Sequence, residues 1–383
     1  MSKIMFICDR PDPYVHGIWF HRIQNPSDAL SRRGHAIRQV AIGSEFKEEF
    51  LQWADVVVFG RAYPNEYDPV KWMREFKKRG KRIIYDMDDD FWEIAHDNPS
   101  KLVGSALKNQ YEGMAQEADI IITPSAVLAK KFKKYFKKPV FICPNGVDVL
   151  ALTQGGGINP SAYIERPHMN KPLTIGYAGA ASHWKDLQII GEVLSDLAQK
   201  HDFMFVLYGL TGEPLEAAMY HYQKTLSNNF MPEKNDYYRS ALAWYNQLKG
   251  IKMQHIPFMP PELHPTILSR ADFDIGIAPL EDTVFNSGKS CIKYYEYAAV
   301  GTVVLASDVL PYSEEVPYLA KNTKKDWYNK LEKLITDEKF RKELLVKQQD
   351  WVKKNRSLEA IGLPWELALQ GEGIKGLTVA NQR

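Results

Sequence analysis

Residues Ala278 to Gly301 read APLEDTVFNSGKSCIKYYEYAAVG. The first of them close a short apolar run, Asp274 to Ala278, that has the composition of a buried strand, and a helical spacing of apolar residues starts after Gly288. In an open α/β sheet such a strand-to-helix loop lies at the carboxyl edge, where ligands bind. The start of the helix offers unpaired backbone N–H groups and the positive end of a dipole, which suits a diphosphate. Asn286 and Ser290 flank that start, and Lys289 adds a compact cation. Lys293 and Glu296, four and seven residues beyond Lys289, are expected on the same helical face, where a carboxylate can accept hydrogen bonds from two vicinal ribose hydroxyls. The plainer reading is a solvated amphipathic helix with an incidental Lys-Lys-Glu stripe.

Upstream, short apolar runs bounded by turn residues alternate with helical patterns, the signature of βαβ units and a parallel sheet. In the first half strands are expected at Ile4 to Cys8, Ala36 to Ala41, Val56 to Phe59, Arg82 to Tyr85, Ile120 to Thr123 and Val140 to Ile142. Helices are expected at Pro26 to Arg33, ended by Gly34, and at Asp68 to Arg79, ended by Gly80. A second series restarts at Leu173 to Tyr177 and continues through Phe203 to Tyr208, Met253 to Ile256, Asp274 to Ala278 and Thr302 to Ala306. Between the series, Gln154 to Pro160 has a linker's composition. The expected division is a first Rossmann-like domain over 1–158 and a second over 159–354, with an insertion at about 220–250 and a C-terminal helix, about 355–372, available to pack back on the first domain.

The bulk composition agrees with a soluble two-domain protein: 383 residues, 45% hydrophobic and 25% charged. A formal net charge of +2 gives no global field for nucleic acid or anionic lipid, so any such partner must use a local patch. Cys8, Cys143 and Cys291 are too scattered for a disulfide framework or zinc site, and a cytoplasmic setting fits best. No apolar run reaches the length of a membrane span. The basic run Lys130 to Lys138 is expected to be a solvated helix face, with contact to peripheral lipid headgroups or nucleic-acid phosphates as the alternative.

The pattern Phe-Asn-x-x-Lys-Ser-x-Ile-Lys-Tyr-x-Glu-Tyr-Ala-Ala-x-Gly over 285–301 resembles the nucleotide-sugar motif of retaining GT-B glycosyltransferases, in the form found in a bacterial and phage subgroup. Pro144-Asn145-Gly146-Val147-Asp148 is similar to the signature that closes the first domain of that family. Thr174 to Gly179 followed by Ser182 to Leu187 resembles the strand and loop that open its second domain, and Lys185 falls where the family has a phosphate-contacting lysine. Gly179 allows close backbone approach to the sugar diphosphate. Ile256 to Pro260 resembles the base-pocket loop, in which Phe258 either stacks on the nucleobase or fills core. Gly17 stands where the family has a glycine-containing loop after the first strand and is a donor-binding candidate, and Arg22 is an acceptor-side candidate.

The sequence departs from the family in two places. Gly288 occupies the position, eight residues before Glu296, of a second glutamate that approaches the donor hexose, and Ala180 replaces a common arginine. His183, Lys289 and Lys293 are expected to supply the missing contacts. The other loud segment, Tyr85-Asp86-Met87-Asp88-Asp89-Asp90, superficially matches the carboxylate clusters of phosphatases and metal-dependent transferases. It ends the fourth strand rather than the first, so an acceptor-binding role for Asp88 and Asp90, or helix capping, is preferred to metal binding. His21 and His96 are candidates for positioning an acceptor, although a lone histidine is more often structural.

Taken together the resemblance implies an α/β protein of GT-B type, two Rossmann-like domains facing each other across a cleft, that moves a hexose from a UDP- or GDP-sugar to an acceptor hydroxyl with retention. Catalytic roles fall to Lys185, Lys289 and His183, with no metal and no cofactor required beyond the nucleotide-sugar donor. The default acceptor is a polysaccharide or glycolipid. The alternatives are a modified nucleobase in DNA, a sugar-nucleotide epimerase and a non-catalytic nucleotide-sugar-binding protein.

Overall fold

The computed structural model describes residues 1–8, 17–42, 48–61, 63, 67–94, 107–154, 172–179, 183–209, 236–248, 250–256 and 264–372. Two parallel six-stranded sheets organise them. The first contains β1 (Lys3–Cys8), β2 (Ala36–Ala41), β3 (Val56–Phe59), β4 (Arg82–Asp86), β5 (Ile120–Thr123) and β6 (Val140–Ile142), in the order β2-β1-β3-β4-β5-β6. The second contains β7 (Leu173–Ala178), β8 (Phe203–Tyr208), β9 (Met253–Ile256), β10 (Ile275–Ala278), β11 (Val303–Ser307) and β12 (Leu319–Ala320), in the order β12-β11-β10-β7-β8-β9. The central strands β3, β5, β10 and β11 are buried at every residue, as continuous Val/Ile runs covered by helices on both faces must be.

The strand order of the second sheet reverses between β7 and β10, which lie side by side with Gly176 opposite Gly276. Both glycines make room for rings. A β-carbon on Gly176 would sit 2.1 Å from Phe273, and one on Gly276 would sit 2.5 Å from Tyr297. The two rings meet edge to face at 5.9 Å, and the backbone N–H of Ala178 donates to the Tyr297 hydroxyl at 2.6 Å. The helix carrying Tyr297 is thereby tied to the carboxyl end of β7.

The segment after β10 differs from its sequence reading. Thr283 caps a short helix, Val284–Ser287, by accepting from the Asn286 N–H at 3.1 Å. Lys289 closes a turn with its N–H on Asn286 O at 3.0 Å, and the next helix, Ile292–Ala299, begins only after Cys291. Lys289 therefore does not share a helical face with Lys293 and Glu296. The threonine cap starts a helix one turn early, and Gly288, a weak helix former, lets it end. Strand β12, two residues long, carries no readable period and was not expected.

The C-terminal helices Lys324–Thr336, Glu338–Arg356 and Leu358–Gln370 are punctuated by the caps Asp337 and Ser357. Leu358, Ile361, Trp365, Ala368 and Leu369 pack with Ile4, Phe6, Leu30 and Ile122 against the first sheet, and Trp365 Nε1 donates to Pro144 O at 3.0 Å. The chain thus crosses between the halves twice, where Val147 and Ser357 form a parallel bridge. The boundary expected at 158 lies outside the described residues, as does the segment from 220 to 235. Residues Asp236–Gln247 form a helix that places Ala241 and Trp244 in the core of the second half. No helix among the described residues is long and apolar enough to cross a membrane.

Candidate functional site

The reversal between β7 and β10 opens a crevice outside the carboxyl ends of these strands, the usual ligand position in a doubly wound sheet. Asp186 organises it. This buried carboxylate stands on the helix Trp184–Gln188 after β7, and its Oδ2 accepts from His183 Nδ1 at 2.7 Å. Its Oδ1 accepts from the Glu281 N–H at 2.8 Å and from Asn286 Nδ2 at 3.5 Å, which stitches the loop after β10 to the loop after β7. Asn286 also donates to Glu281 O at 3.0 Å, so its amide holds the loop in shape.

Two basic side chains, Lys293 and His183, share the crevice with Asp186. Lys293 lies over the Tyr177 ring at 5.4 Å. Desolvation brings its pKa down to about 8, with Lys289 adding repulsion and Asp186 and Glu296 opposing the shift. His183 is likewise lowered, first by desolvation and then by Lys293, against the hydrogen bond it donates to Asp186. Burial would raise Asp186, but His183, the Glu281 N–H and Lys293 hold it below the ordinary carboxylate value.

Glu296, one helical turn beyond Lys293, is 7% exposed. Its Oε1 meets His264 Nε2 at 3.1 Å and, from the opposite half of the protein, His21 Nε2 at 3.3 Å. Burial alone would raise its pKa. The two imidazoles outweigh burial and hold Glu296 ionised, well below the carboxylate range. His264 in turn stacks on Tyr208 at 5.4 Å, bonds the Tyr208 hydroxyl through Nδ1 at 3.0 Å, and is raised because Glu296 overcomes its desolvation. The Nδ1 atom of His21 is buried without a hydrogen-bond partner.

The first half faces this crevice with the carboxyl end of β4. Arg22, on the π-helical turn Phe20–Gln24, donates Nε and Nη2 to Asp86 at 2.8 and 2.6 Å and stacks on Trp365 at 4.6 Å. Its Nη1 donates to Cys143 O and Asn145 Oδ1, and Asn145 Nδ2 donates across the halves to Ser290 Oγ at 2.7 Å. Arg22 is therefore a fully engaged buried fork, and Ser290 is paired with Asn145. Asp90 is paired with Lys131, which also bonds Glu93 at 3.0 Å. Asp88 and Asp89 approach Arg61 at 3.7 and 3.4 Å, and Lys289 reaches Asp89 at 3.8 Å. Desolvation, with repulsion from Asp89 and Asp86, lifts Asp88 to about 6 against the pull of Arg61, and its Oδ1 is buried without a partner.

At Gly288 a β-carbon would lie 2.8 Å from Leu128 Cδ2, and its carbonyl accepts from Ser125 Oγ at 2.7 Å. Any larger residue must displace a leucine that is only 1% exposed, which accounts physically for glycine here. Gly179 donates its N–H to Tyr208 O at 3.0 Å and lies against the Tyr177 ring. Lys185 is half-buried beside Asp186, and Gly17 starts the one-turn helix Gly17–Trp19. Phe258 and His96 lie outside the described residues, as do Ala180 and Ser182. Of the expected residues, His183, Asn286, Lys293 and Glu296 gather in one crevice, and Lys289 reaches across to Asp89. Asp186, His264 and Arg61 escaped the sequence reading: His264 and Arg61 act through distant partners, and Asp186, although three residues from His183, ties in Glu281 and Asn286 from 95 and 100 positions away.

No protein-family model matches the sequence, and no curated protein matches it. Solved structures do match, over nearly the whole chain. Sucrose-phosphate synthase from Thermosynechococcus elongatus superposes with a TM-score of 0.60 at 13% identity, covering 95% of this chain and 97% of that one. The trehalose-6-phosphate synthase OtsA gives 0.62 at 12% identity, with 96% and 99% covered. Anabaena HepE, solved in complex with UDP and glucose, gives 0.60 at 13% identity, with 97% and 100% covered. The chain has the GT-B fold of these proteins, two Rossmann-like α/β halves across a cleft.

Proposed function

We propose that the chain is a glycosyltransferase that transfers a hexose from a UDP- or GDP-sugar to an acceptor hydroxyl with retention of configuration. One observation carries the reading: an ionised, buried Glu296 stands one helical turn from Lys293, in the same crevice as His183 and at the reversal of the second sheet. The ribose hydroxyls of the donor donate to Glu296 in competition with His21 and His264. The diphosphate meets His183, Lys185, Lys289 and Lys293, whose positive charge stabilises the charge developing on the leaving group. The acceptor enters from the β4 edge, where the partnerless Oδ1 of Asp88 accepts a hydroxyl proton in a hydrogen bond. The leaving phosphate takes the acceptor proton, as the resemblance to retaining enzymes implies. Support for the donor class comes from HepE, solved with UDP and glucose, and support for retention from trehalose-6-phosphate synthase, a similar structure studied for enzymatic glycosyl transfer with retention.

The acceptor in this reading is a polysaccharide or glycolipid. Lys130, Lys133, Lys134 and Lys137 are exposed on the acceptor half and form the footprint for an anionic carrier surface. A second reading, a nucleotide-sugar-binding protein without turnover, draws on Gly288, where no carboxylate faces the sugar.

A thermal-shift panel of nucleotide sugars separates these readings once followed by a product assay. A ligand that binds only the native state raises the melting temperature by mass action. A UDP- or GDP-hexose is expected to raise it and then to be consumed when acceptor is added. A shift without consumption across acceptors favours the second reading, and no shift with any nucleotide sugar removes both.

A further inference from the structure

Asp186 lies where three segments meet, and each of its contacts bears on the crevice. Its Oδ2 fixes His183 through Nδ1, its Oδ1 holds the Glu281 N–H and Asn286, and its charge faces Lys293. With Nδ1 committed to the carboxylate, a neutral His183 carries its proton there and presents Nε2 as the atom that can take up another. The groups facing Lys293 are Asp186, Lys289 and Glu296, beside the Tyr177 ring, and those facing His183 are Lys293, Asp186 and Lys289. Three potential cations thus crowd one fixed carboxylate in a desolvated crevice. Such a crowd sheds a proton when the crevice is empty of anions and regains it when an anion enters.

We infer that Asp186 is a positioning residue that fixes His183 and sets its charge before Lys293, so that a nucleoside diphosphate binds together with a proton taken from solvent by the Lys293 amine. The inference rests on the donor-binding reading above and deepens it. A positioned proton acceptor lets the empty site avoid an accumulation of like charge, while the loaded site presents its full complement of cations to the diphosphate. In the free protein desolvation already lowers both groups, Lys293 to about 8, which places the exchange in an accessible pH range.

The test is calorimetric titration of UDP and of GDP into the full chain from about pH 7.5, above the second ionisation of a phosphate near 6, to about pH 9. Where a single proton is linked to binding, affinity falls by up to about tenfold per pH unit once Lys293 has lost its charge. Titrations in buffers of different ionisation heat should show net proton uptake. Asp186→Asn removes the group that favours charged Lys293, so the break in the affinity profile moves to lower pH, whereas Lys293→Met abolishes that break. Affinity that is flat with pH and free of proton uptake in the wild type overturns the inference while leaving the donor-binding reading intact. A uniform loss of affinity in Asp186→Asn with an unmoved break also overturns it, because a merely structural carboxylate acts that way. Nitrogen-15 spectra of His183 in the wild type provide a readout that needs no variant: an Nδ1–H ring is expected in the free protein, and an Nε2–H ring contradicts the assignment. Failure of both nucleotides to bind at any pH removes the donor-binding reading and the inference with it.

Discussion

His264 and Glu296 form a pair whose contribution depends on pH in a direction set by their environments. Glu296 is held below its ordinary value of 4.5, so its contribution to stability is present above that pH and disappears as pH falls through the lower folded value. His264 is raised above 6.5, so its contribution is complete below 6.5 and disappears as pH rises through the higher folded value. The difference in melting temperature between the wild type and His264→Gln should therefore be largest between about pH 4.5 and 6.5 and shrink toward alkaline pH. A constant difference from acid to alkaline pH contradicts the pairing. Glu296 stood out in the sequence because the whole pattern over 285–301 resembles a nucleotide-sugar motif, its spacing from Lys293 within one helix being equally that of a solvated face. His264 did not, since its partner lies 32 positions away and a lone histidine in a sequence carries no spacing. Asp186 stands three residues from His183, but its tie to the loop after β10 runs through Glu281 and Asn286, 95 and 100 positions away, and that part left no trace in the sequence.

The inner strands such as β3 and β5 were readable because parallel strands buried on both faces must be continuous apolar runs, whereas the outer strands β2 and β9 carry polar residues and β12 has only two residues. The helix that carries Glu296 begins after Cys291, later than its sequence reading places it. Apolar spacing alone places its beginning after Gly288, but Thr283 caps a separate short helix upstream. The aim of the helix Ile292–Ala299 is set instead by Tyr297 lying over Gly276 and bonding the end of β7. Gly176 is the matching position under Phe273, where added volume meets a buried ring rather than a mobile chain end. Gly176→Ala should cost about 1–3 kcal/mol of stability or more by chemical denaturation. An unchanged denaturation midpoint would show that the Phe273 ring does not press on this strand.

The two halves are joined through contacts between residues far apart in the chain, which no periodicity records. Arg22, Asn145 and Ser290 form one buried relay, Ser125 bonds Gly288, and His21 reaches Glu296. The helix Leu358–Gln370 clasps the first sheet, packing Trp365 and Leu369 with Ile4 and Phe6. The two-sheet architecture was foreseeable from the restart of strand patterns at Leu173, but the cross-cleft partners of the site residues were not. We propose Glu296 as the ribose-binding carboxylate of a nucleotide-sugar site shared by these halves. Its most direct test is calorimetric titration of UDP and GDP, at one neutral pH, into the wild type and Glu296→Ala. One of the nucleotides should bind the wild type and bind the variant at least about tenfold more weakly, since hydrogen bonds to a charged group contribute about 1.5–3 kcal/mol. Equal affinity of both proteins for that nucleotide, with the variant folded, contradicts the account.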